Sequence, residues 1–549
     1  MKPNPPHQGQ SATSTTVKLS AAVYPAGSAH PSAATGCLQP GLFGHDRICA
    51  VIAAPDKSHA IAQLKAACLG SAHILELRLD FLKRPSEITQ LLGWIASQPR
   101  LPVLIATCRR REAGGHFTGG VAAELKILKE AVAAGCRWCD VEIETSSDLD
   151  AEQLRKALAP ARLLISAHDF RGLPKNLPAV VARLDAAGGD AVKIAGLARS
   201  FRNVSHLLQT AHGRADVVVI PMGEEMAGAR ILALRQGSAL AYAPITQSTA
   251  PGQISFGDVE RIYRLRRRFG ASKSGPDPHT AVYGVIGDPI GHSLSPLMHN
   301  AAFAARRKNS LYLPFHVRDL TDFLAAIKSF AIAGFSVTIP HKQRILRYLD
   351  QCDPLAAEIG AVNTVVVRDG KLCGYNTDFI GVLRAIERRL PLSSSRVLLI
   401  GAGGAARAAA FALARGGAEV SIWARRPRQA DALARSVGGA AITRDAIARQ
   451  SFDAIVNCTP VGMYPRRGSP LNSRQLNCHL VMDLIYRPLK TDLLRMAERR
   501  GIETISGVDM FVAQGAAQWE LWTGERAPVK VMRSVVLAEL QKEEKSRRP

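Results

Sequence analysis

The chain has 549 residues, too many for one hydrophobic core, so two to four domains are expected. Apolar residues make up 47% of it, yet no run of about 18 or more uncharged apolar residues occurs, which argues against a membrane span. The formal net charge is +24, but the basic residues are dispersed without aromatic interleaving, which speaks against nucleic acid and for attraction of small anions.

Residues 1–44 are rich in Ala, Ser, Thr, Pro and Gly and carry no apolar period, so a disordered leader is expected there. Its lack of acids also fits a transit peptide. A cytoplasmic location is therefore expected, with a plastid as the alternative. The ten cysteines are scattered, mostly among apolar neighbours, as in a reducing compartment. Cys136 and Cys139 form a CxxC with no second ligand pair nearby, so no metal is expected.

From Arg47 to about Phe269, short apolar strands alternate with helical stretches. The expected strands are Ile48–Ala53, Ile74–Leu79, Val103–Thr107, Trp138–Ile143, Leu163–Ala167, Ala191–Ile194, Val217–Pro221 and Ala239–Tyr242. Eight strands over this length predict a (β/α)8 barrel, with chemistry at the strands' C-terminal ends. Period-two geometry puts Glu76, Arg78 and Asp80 on one face of the second strand. Lys193 is a lone lysine in an apolar strand. Desolvation there disfavours an ammonium and favours a free amine, as Schiff-base chemistry on a ketone requires. An ion pair with Glu76 or Glu142 is the competing reading.

Glu76 to Asp80, His168 to Phe170, Lys193 to Ala195, Pro221 to Gly223 and Ala250 to Ser255 together resemble type I 3-dehydroquinate dehydratase. That resemblance implies an imine between Lys193 and the ketone of 3-dehydroquinate, with His168 as general acid and base. It also implies substrate binding by Glu76, Arg78, Arg109, Arg230, Thr249 and Gln253, and it leaves a homodimer through the barrel open. Glu112 sits one place off the acidic position of some members and is left outside the set.

Ala271 to His279, with two prolines, a glycine and two serines, reads as a connector. After it, a strand runs into Gly287 to Pro296, a loop with His292, Ser293 and Ser295. A further strand, taken to end in Pro340, precedes Lys342, and Asp378 follows Gly374 to Thr377. An ammonium and a carboxylate in a cleft can pass a proton to a carbonyl oxygen; a surface ion pair is the plainer reading. Next, Val397–Ile400 lead into Gly401, Gly403 and Gly404 and an Ala-rich helix, the Rossmann strand–turn–helix that receives a pyrophosphate. The following strand, Glu419–Trp423, ends in Ala424, Arg425 and Arg426, where an NAD enzyme would place an acid, so NADP is inferred.

These motifs resemble shikimate dehydrogenase over about Ala281 to Glu539. The resemblance implies Ser293 and Ser295 on the substrate carboxylate. It puts Thr338, Asn363, Tyr486 and Gln514 on the rest of the substrate and makes Lys342 and Asp378 the catalytic pair. Gly401, Gly403, Gly404, Ala405, Arg425, Thr459, Met463 and Gly507 would hold the cofactor. Asp288 stands where bacterial members often carry Asn, and Ala424 where Asn often precedes the arginine.

The expected organisation is a leader (1–44), a dehydratase barrel (45–270) and a linker (271–279). A substrate lobe (280–390), a Rossmann lobe (391–505) and returning helices with a charged tail (506–549) follow. Together they predict an α/β shikimate-pathway enzyme that dehydrates 3-dehydroquinate and reduces 3-dehydroshikimate to shikimate with NADPH. Its partners would be these small molecules, without nucleic acid or membrane. The rival readings are a dehydrogenase half acting on quinate with NAD, and a basic scaffold protein with decayed enzyme halves.

Overall fold

Eight short apolar segments form the parallel strands β1 (Ile48–Ile52), β2 (Ile74–Arg78), β3 (Val103–Thr107), β4 (Trp138–Glu142), β5 (Arg162–Asp169), β6 (Ala191–Leu197), β7 (Val217–Met222) and β8 (Ala241–Pro244). They pair in the order β7-β6-β5-β4-β3-β2-β1-β8 in the computed structural model, which describes residues 42–43, 46–246, 248–250, 252–265, 276–465 and 467–546. Most of the expected leader, and residues 271–275 of the expected linker, lie outside these. Where β7 meets β8, the Ala239 N–H donates to the Val217 carbonyl at 2.8 Å. The Ser238 hydroxyl accepts from the Val219 N–H and donates to the Leu240 carbonyl, both at 2.9 Å. One serine side chain thus replaces a rung of the ladder and nearly closes the barrel.

Alternation sorts the strands' residues between the barrel interior and the helices outside. Cys49, Val51, Ile74, Ile105, Trp138, Leu164 and Val218 form a separate interior cluster. Phe43, from the stretch expected to be leader, stacks on Trp138 at 4.3 Å, and the Arg162 guanidinium lies 5.7 Å from the same ring. The second half of the chain builds two more sheets. The first contains β9 (Ala281–Gly287), β10 (Ser310–His316), β11 (Ile332–Val337), β12 (Gln351–Cys352), β13 (Thr364–Arg368) and β14 (Lys371–Tyr375). Their order is β10-β9-β11-β13-β14-β12, with β13 antiparallel to both neighbours. The other contains β15 (Arg396–Ile400), β16 (Glu419–Trp423), β17 (Ala440–Ala441), β18 (Phe452–Asn457), β19 (Cys478–Asp483) and β20 (Glu503–Ile505). All its neighbours are parallel, in the order β17-β16-β15-β18-β19-β20. The strand order reverses beside β15, which makes a crevice there.

The helices that matter for the sites are α1 (Phe201–Gln209), α2 (Ala227–Arg235), α3 (Ser295–Ala305), α4 (Leu320–Phe330), α5 (Thr377–Ile386), α6 (Gly404–Arg415), α7 (Gly507–Thr523) and α8 (Val529–Ser546). None among the described residues is long and apolar enough to cross a membrane. The barrel docks on the second half through α1 and α4. Phe201 meets Phe323 edge-on at 5.3 Å. The Asp322 carboxylate accepts from the Phe201 and Arg202 N–H groups at 2.6 and 3.2 Å, an anion on the first turn of α1.

Three expectations are corrected. Asp80 is not on β2: it lies in a 3-10 turn over Leu79–Phe81 and pairs with Arg78 at 2.8 Å. β5 is longer than expected and carries His168 within the strand. β11 ends at Val337, so Lys342 lies in a turn ahead of the 3-10 helix Arg344–Tyr348, not directly behind a strand.

Candidate active sites

At the C-terminal ends of the barrel strands one cavity is lined by Glu76, Arg78, Arg109, His168, Lys193, Arg230, Thr249 and Gln253. All the expected barrel residues are therefore brought together. Tyr242, Met222, Ile220 and Phe170 complete the wall. Lys193 Nζ pairs with Asp140 and lies 3.6 Å from Glu76 Oε1. The competing ion-pair reading is the one observed, with Glu76 as considered and with Asp140 in addition: two carboxylates offset the cost of burying the ammonium. Glu142, the other partner considered, turns instead to Arg110 at 3.2 Å and Arg109 at 3.5 Å.

Asp140 is the centre of this network and was absent from the expected site. It accepts from the Ser166 hydroxyl at 2.6 Å and pairs with Arg109 at 2.8 Å, besides Lys193. Burial would push its carboxyl up; Arg109 and then Lys193 outweigh burial and hold it below the ordinary carboxylate range. His168 is shifted downward as well, with the opposite consequence for its charge. Burial, then the Arg109 and Lys193 charges, push its imidazolium well below the usual range, so the ring is neutral at pH 7. Its Nδ1 is buried without a hydrogen-bond partner among the described residues. A neutral imidazole in this cavity can take up a proton.

The remaining wall is built from the loop and helix after β7 and β8. Gln253 Oε1 accepts from the Thr249 and Ala250 N–H groups at 2.7 and 3.2 Å, which folds that loop over the cavity. Burial pulls the Arg230 guanidinium, on α2, down to about 10. Lys193 Nζ sits 4.7 Å from the Tyr242 ring centre, and the Tyr242 hydroxyl is buried without a partner among the described residues. Tyr242 carried no sequence signal. Asp140 and Glu142 did: acids at alternate positions of an apolar strand are the pattern that singled out Lys193.

The second site spans the mixed sheet and the Rossmann lobe. Lys342 Nζ contacts Asp378 Oδ2 at 2.5 Å, and Asn363 Nδ2 donates to Asp378 Oδ1 at 2.8 Å. Asn363 also reaches Thr377 at 3.0 Å and lies 3.5 Å from Gln514 Oε1 on α7. Ser293 and Ser295 follow β9. The Ser295 N–H donates to the Ser293 hydroxyl at 3.3 Å, and Ser295 opens α3. Thr338 follows β11, the neighbour of β9, and its N–H donates to the Ile286 carbonyl at 3.0 Å. Tyr486 stacks on Phe511 at 4.4 Å beside this loop. Lys342, Asn363, Asp378 and Gln514, from four separated segments, thus form one connected network around a single lysine–aspartate pair.

β15 ends in Gly401, whose φ of +116° suits glycine and whose added Cβ would meet Thr459 at 3.2 Å. Gly403 caps α6 without a side chain and has open space around it, so the α6 N–H groups are available to a pyrophosphate. Gly404 and Ala405 form the first turn; a Cβ on Gly404 would lie 3.3 Å from Lys342 Cβ. The glycine turn therefore abuts Lys342. Arg425 lies beyond β16 with no carboxylate partner among the described residues, as a 2′-phosphate requires. Thr459 is held to Asn457 at 2.8 Å, and Met463 is exposed on the same loop. Gly507 packs on the chain after β19: its Cβ would meet the Ile485 backbone at 2.5 Å, a close approach that glycine allows. These residues fit a dinucleotide phosphate.

Residues 48–269 match the family model for type I 3-dehydroquinase. Residues 285–365 match the shikimate dehydrogenase substrate binding domain, and 507–537 the shikimate 5'-dehydrogenase C-terminal domain. The chain is 36% identical over 507 residues to the bifunctional 3-dehydroquinate dehydratase/shikimate dehydrogenase, chloroplastic, of Arabidopsis thaliana, covering 88% of this chain and 82% of that one. It is 45% identical over 273 residues to the shikimate dehydrogenase (NADP(+)) of Moorella thermoacetica, covering 47% of this chain and 92% of that one. A crystal structure of shikimate 5-dehydrogenase from Thermus thermophilus with NADP(H) and shikimate is 36% identical, covers 47% of this chain and 99% of that one, and has a TM-score of 0.45.

Proposed function

The chain belongs to the family of bifunctional 3-dehydroquinate dehydratase/shikimate dehydrogenases of the shikimate pathway, and from that premise we propose how its own residues divide the two reactions. The proposed barrel unit, residues 45–270, takes 3-dehydroquinate. Arg230 binds the carboxylate, and Glu76, Arg78, Arg109, Thr249 and Gln253 hold the hydroxyl groups. Lys193, after its ammonium gives up a proton, attacks the ketone and forms an imine with loss of the ketone oxygen as water. The imine acts as an electron sink for the carbanion that follows, and water hydrolyses it at the end to free the product and the lysine. His168, neutral in its buried position, removes the adjacent proton and returns it to the departing hydroxyl as water. Asp140 aims Nζ at the ketone and keeps the surrounding cations paired.

The product, 3-dehydroshikimate, goes to the second unit. We assign the substrate lobe to 280–390, the nucleotide lobe to 391–505 and the returning helices to 506–549. Ser293 and Ser295 receive the carboxylate at the start of α3. Thr338, Asn363, Tyr486 and Gln514 fix the ring. Gly401, Gly403, Gly404, Ala405, Arg425, Thr459, Met463 and Gly507 would hold NADPH, which when bound would supply a hydride. Lys342 delivers the proton to the carbonyl oxygen, and Asp378 orients Lys342 and replaces that proton. Arg425 favours NADP over NAD and sets aside a quinate enzyme that uses NAD.

The observation that carries the dehydratase assignment is the buried Lys193 sharing one cavity with the neutral His168. Borohydride reduction in the presence of 3-dehydroquinate, followed by mass mapping, tests it: the adduct is expected on Lys193 alone. Lys193→Ala is expected to lower dehydration by more than about a thousandfold while shikimate oxidation stays at the parent rate. A label on any other residue, or undiminished dehydration by the variant, would refute the assignment.

A further inference from the structure

A cavity of about 510 Å³ lies outside both sites. Its wall carries Arg318, His341, Gln343, Arg344, Arg347 and Tyr348. Two features of its position matter. His341 and Gln343 flank Lys342 in the chain, so one wall of this cavity is the segment that presents the catalytic lysine. Arg318 pairs at 2.6 Å with Glu225, three residues beyond Met222, which lines the barrel cavity. Three residues span at most about 11 Å. One wall of the cavity is thus the segment that presents Lys342, and its Arg318 is tied through Glu225 to the segment that follows β7 in the barrel.

Its charge is the second observation. Arg344 and Arg347 have no carboxylate partner among the described residues. Asp319 is the acid in the wall, and its carboxylate accepts from the Thr321 N–H at 2.8 Å to cap α4. Glu225 is matched by Arg318 at the rim. The His341 ring is fixed by its Nε2 contact with the Val317 carbonyl at 2.6 Å. What remains is a concave surface with two uncommitted guanidiniums, the Gln343 amide and the Tyr348 hydroxyl, whose contact within the protein is the Thr321 hydroxyl at 3.4 Å. Guanidinium forks suit a carboxylate, and the amide and phenol suit hydroxyl groups on a ring.

We propose that this cavity is a holding site for a hydroxylated carboxylate, the 3-dehydroshikimate released by the barrel, before it reaches Lys342. The proposal rests on the division of labour given above. A free carboxylate metabolite from solution has the same chemistry, so the test must distinguish the two sources. The full-length enzyme is mixed with 3-dehydroquinate and NADPH, and the lag before steady NADPH oxidation is measured. For the parent enzyme the lag is expected to be shorter than the value set by KM and Vmax of the dehydrogenase acting on free 3-dehydroshikimate. In Arg344→Gln/Arg347→Gln the lag is expected to lengthen by about two- to fivefold per arginine, the worth of an exposed charge contact. Each half-reaction, assayed with its own added substrate, is expected to keep its kcat and KM. Added salt should lengthen the parent lag, because the contact is screened.

A parent lag equal to the free-diffusion value overturns the proposal. So does an unchanged lag in the double variant, which would leave the cavity to an anion from solution. A fall in the isolated reduction rate would place both arginines in the active site and overturn it as well. Loss of either half-reaction in the parent enzyme would instead strike the functional reading, so the two failures are distinguishable.

Discussion

Each half of the molecule centres on a lysine–aspartate pair, and the two pairs are built differently. The Lys193 and Asp140 side chains are 3% and 0% exposed, and Asp140 is shared with Arg109 and Ser166. The Lys342 and Asp378 side chains are 17% and 5% exposed, and beyond Lys342 the aspartate takes only the Asn363 amide among the described residues. In the barrel the charges support one another before any substrate arrives. In the cleft the charge comes from a substrate and a nucleotide that must enter and leave. The same two residue types are therefore locked into a buried charge network in one site and held as a single, more open pair in the other.

The sharpest test of that contrast is Asp378→Asn. Loss of a positioned proton-transfer group should lower shikimate dehydrogenase kcat by about 10²- to 10⁴-fold. Lys342 can rehydrate at the open cleft, so unfolding should shift by about 1 kcal/mol or less. A steady-state assay paired with denaturant unfolding checks both parts. Asp140→Asn should reverse the balance. It leaves buried Arg109 with only Glu142 at 3.5 Å and buried Lys193 with only Glu76 at 3.6 Å, and the barrel is expected to lose up to about 3–5 kcal/mol of stability, read as a lowered midpoint of its unfolding transition. A stable, slow Asp140→Asn enzyme would erase the distinction between the two pairs.

How far the sequence alone reached also differs between the two halves. Period-two strands spaced by helical stretches were enough for the barrel, and the glycines after Val397–Ile400 for the nucleotide lobe, because both signals are local. Lys193 stands out as a charge in an apolar strand, and the Glu76 partner weighed for it is present at 3.6 Å; its nearer partner Asp140 lies 53 residues earlier, and no local pattern links the two. Glu142, weighed as a partner of Lys193, pairs with Arg110 and Arg109 instead, while Asp140, next to Cys139 in the same strand, goes unremarked; Cys136 and Cys139 are both buried core groups. His168 sits inside β5, where a polar strand end reads as a loop. The last barrel strand was placed two residues early, because Ser238 and Ala239 make the seam and not a regular rung. Asp322 capping α1 across the two halves could not be anticipated, since no local pattern reports how two folded surfaces meet.

The cofactor end of the cleft sharpens the comparison further. Arg425 awaits a charge that the protein does not supply, whereas Arg109 in the barrel is already matched. A charged hydrogen bond to a phosphate contributes about 1.5–3 kcal/mol. Arg425→Ala is therefore expected to raise the KM for NADP by about tenfold to a hundredfold and to leave the KM for NAD nearly unchanged. Titrating both nucleotides against the parent and the variant measures it. Equal losses for both would mean that Arg425 supports the fold of the loop and not the 2′-phosphate.

The smallest expected effect concerns a barrel group that the internal network leaves unsatisfied. The Tyr242 hydroxyl is buried beside Lys193 with no partner among the described residues, and burial, first among its causes, pushes the phenol well above its ordinary range, so it stays protonated. Removing an unsatisfied buried hydroxyl while keeping the ring should leave stability unchanged or raise it by up to about 1 kcal/mol. A hydroxyl kept at that cost has a use only once a substrate supplies the acceptor. Tyr242→Phe should therefore raise the KM for 3-dehydroquinate by about two- to tenfold, one neutral hydrogen bond, with a smaller change in kcat. If the variant gains stability and its KM does not move, the hydroxyl is a packing remnant, and substrate binding in the barrel then rests on the charged groups around Lys193.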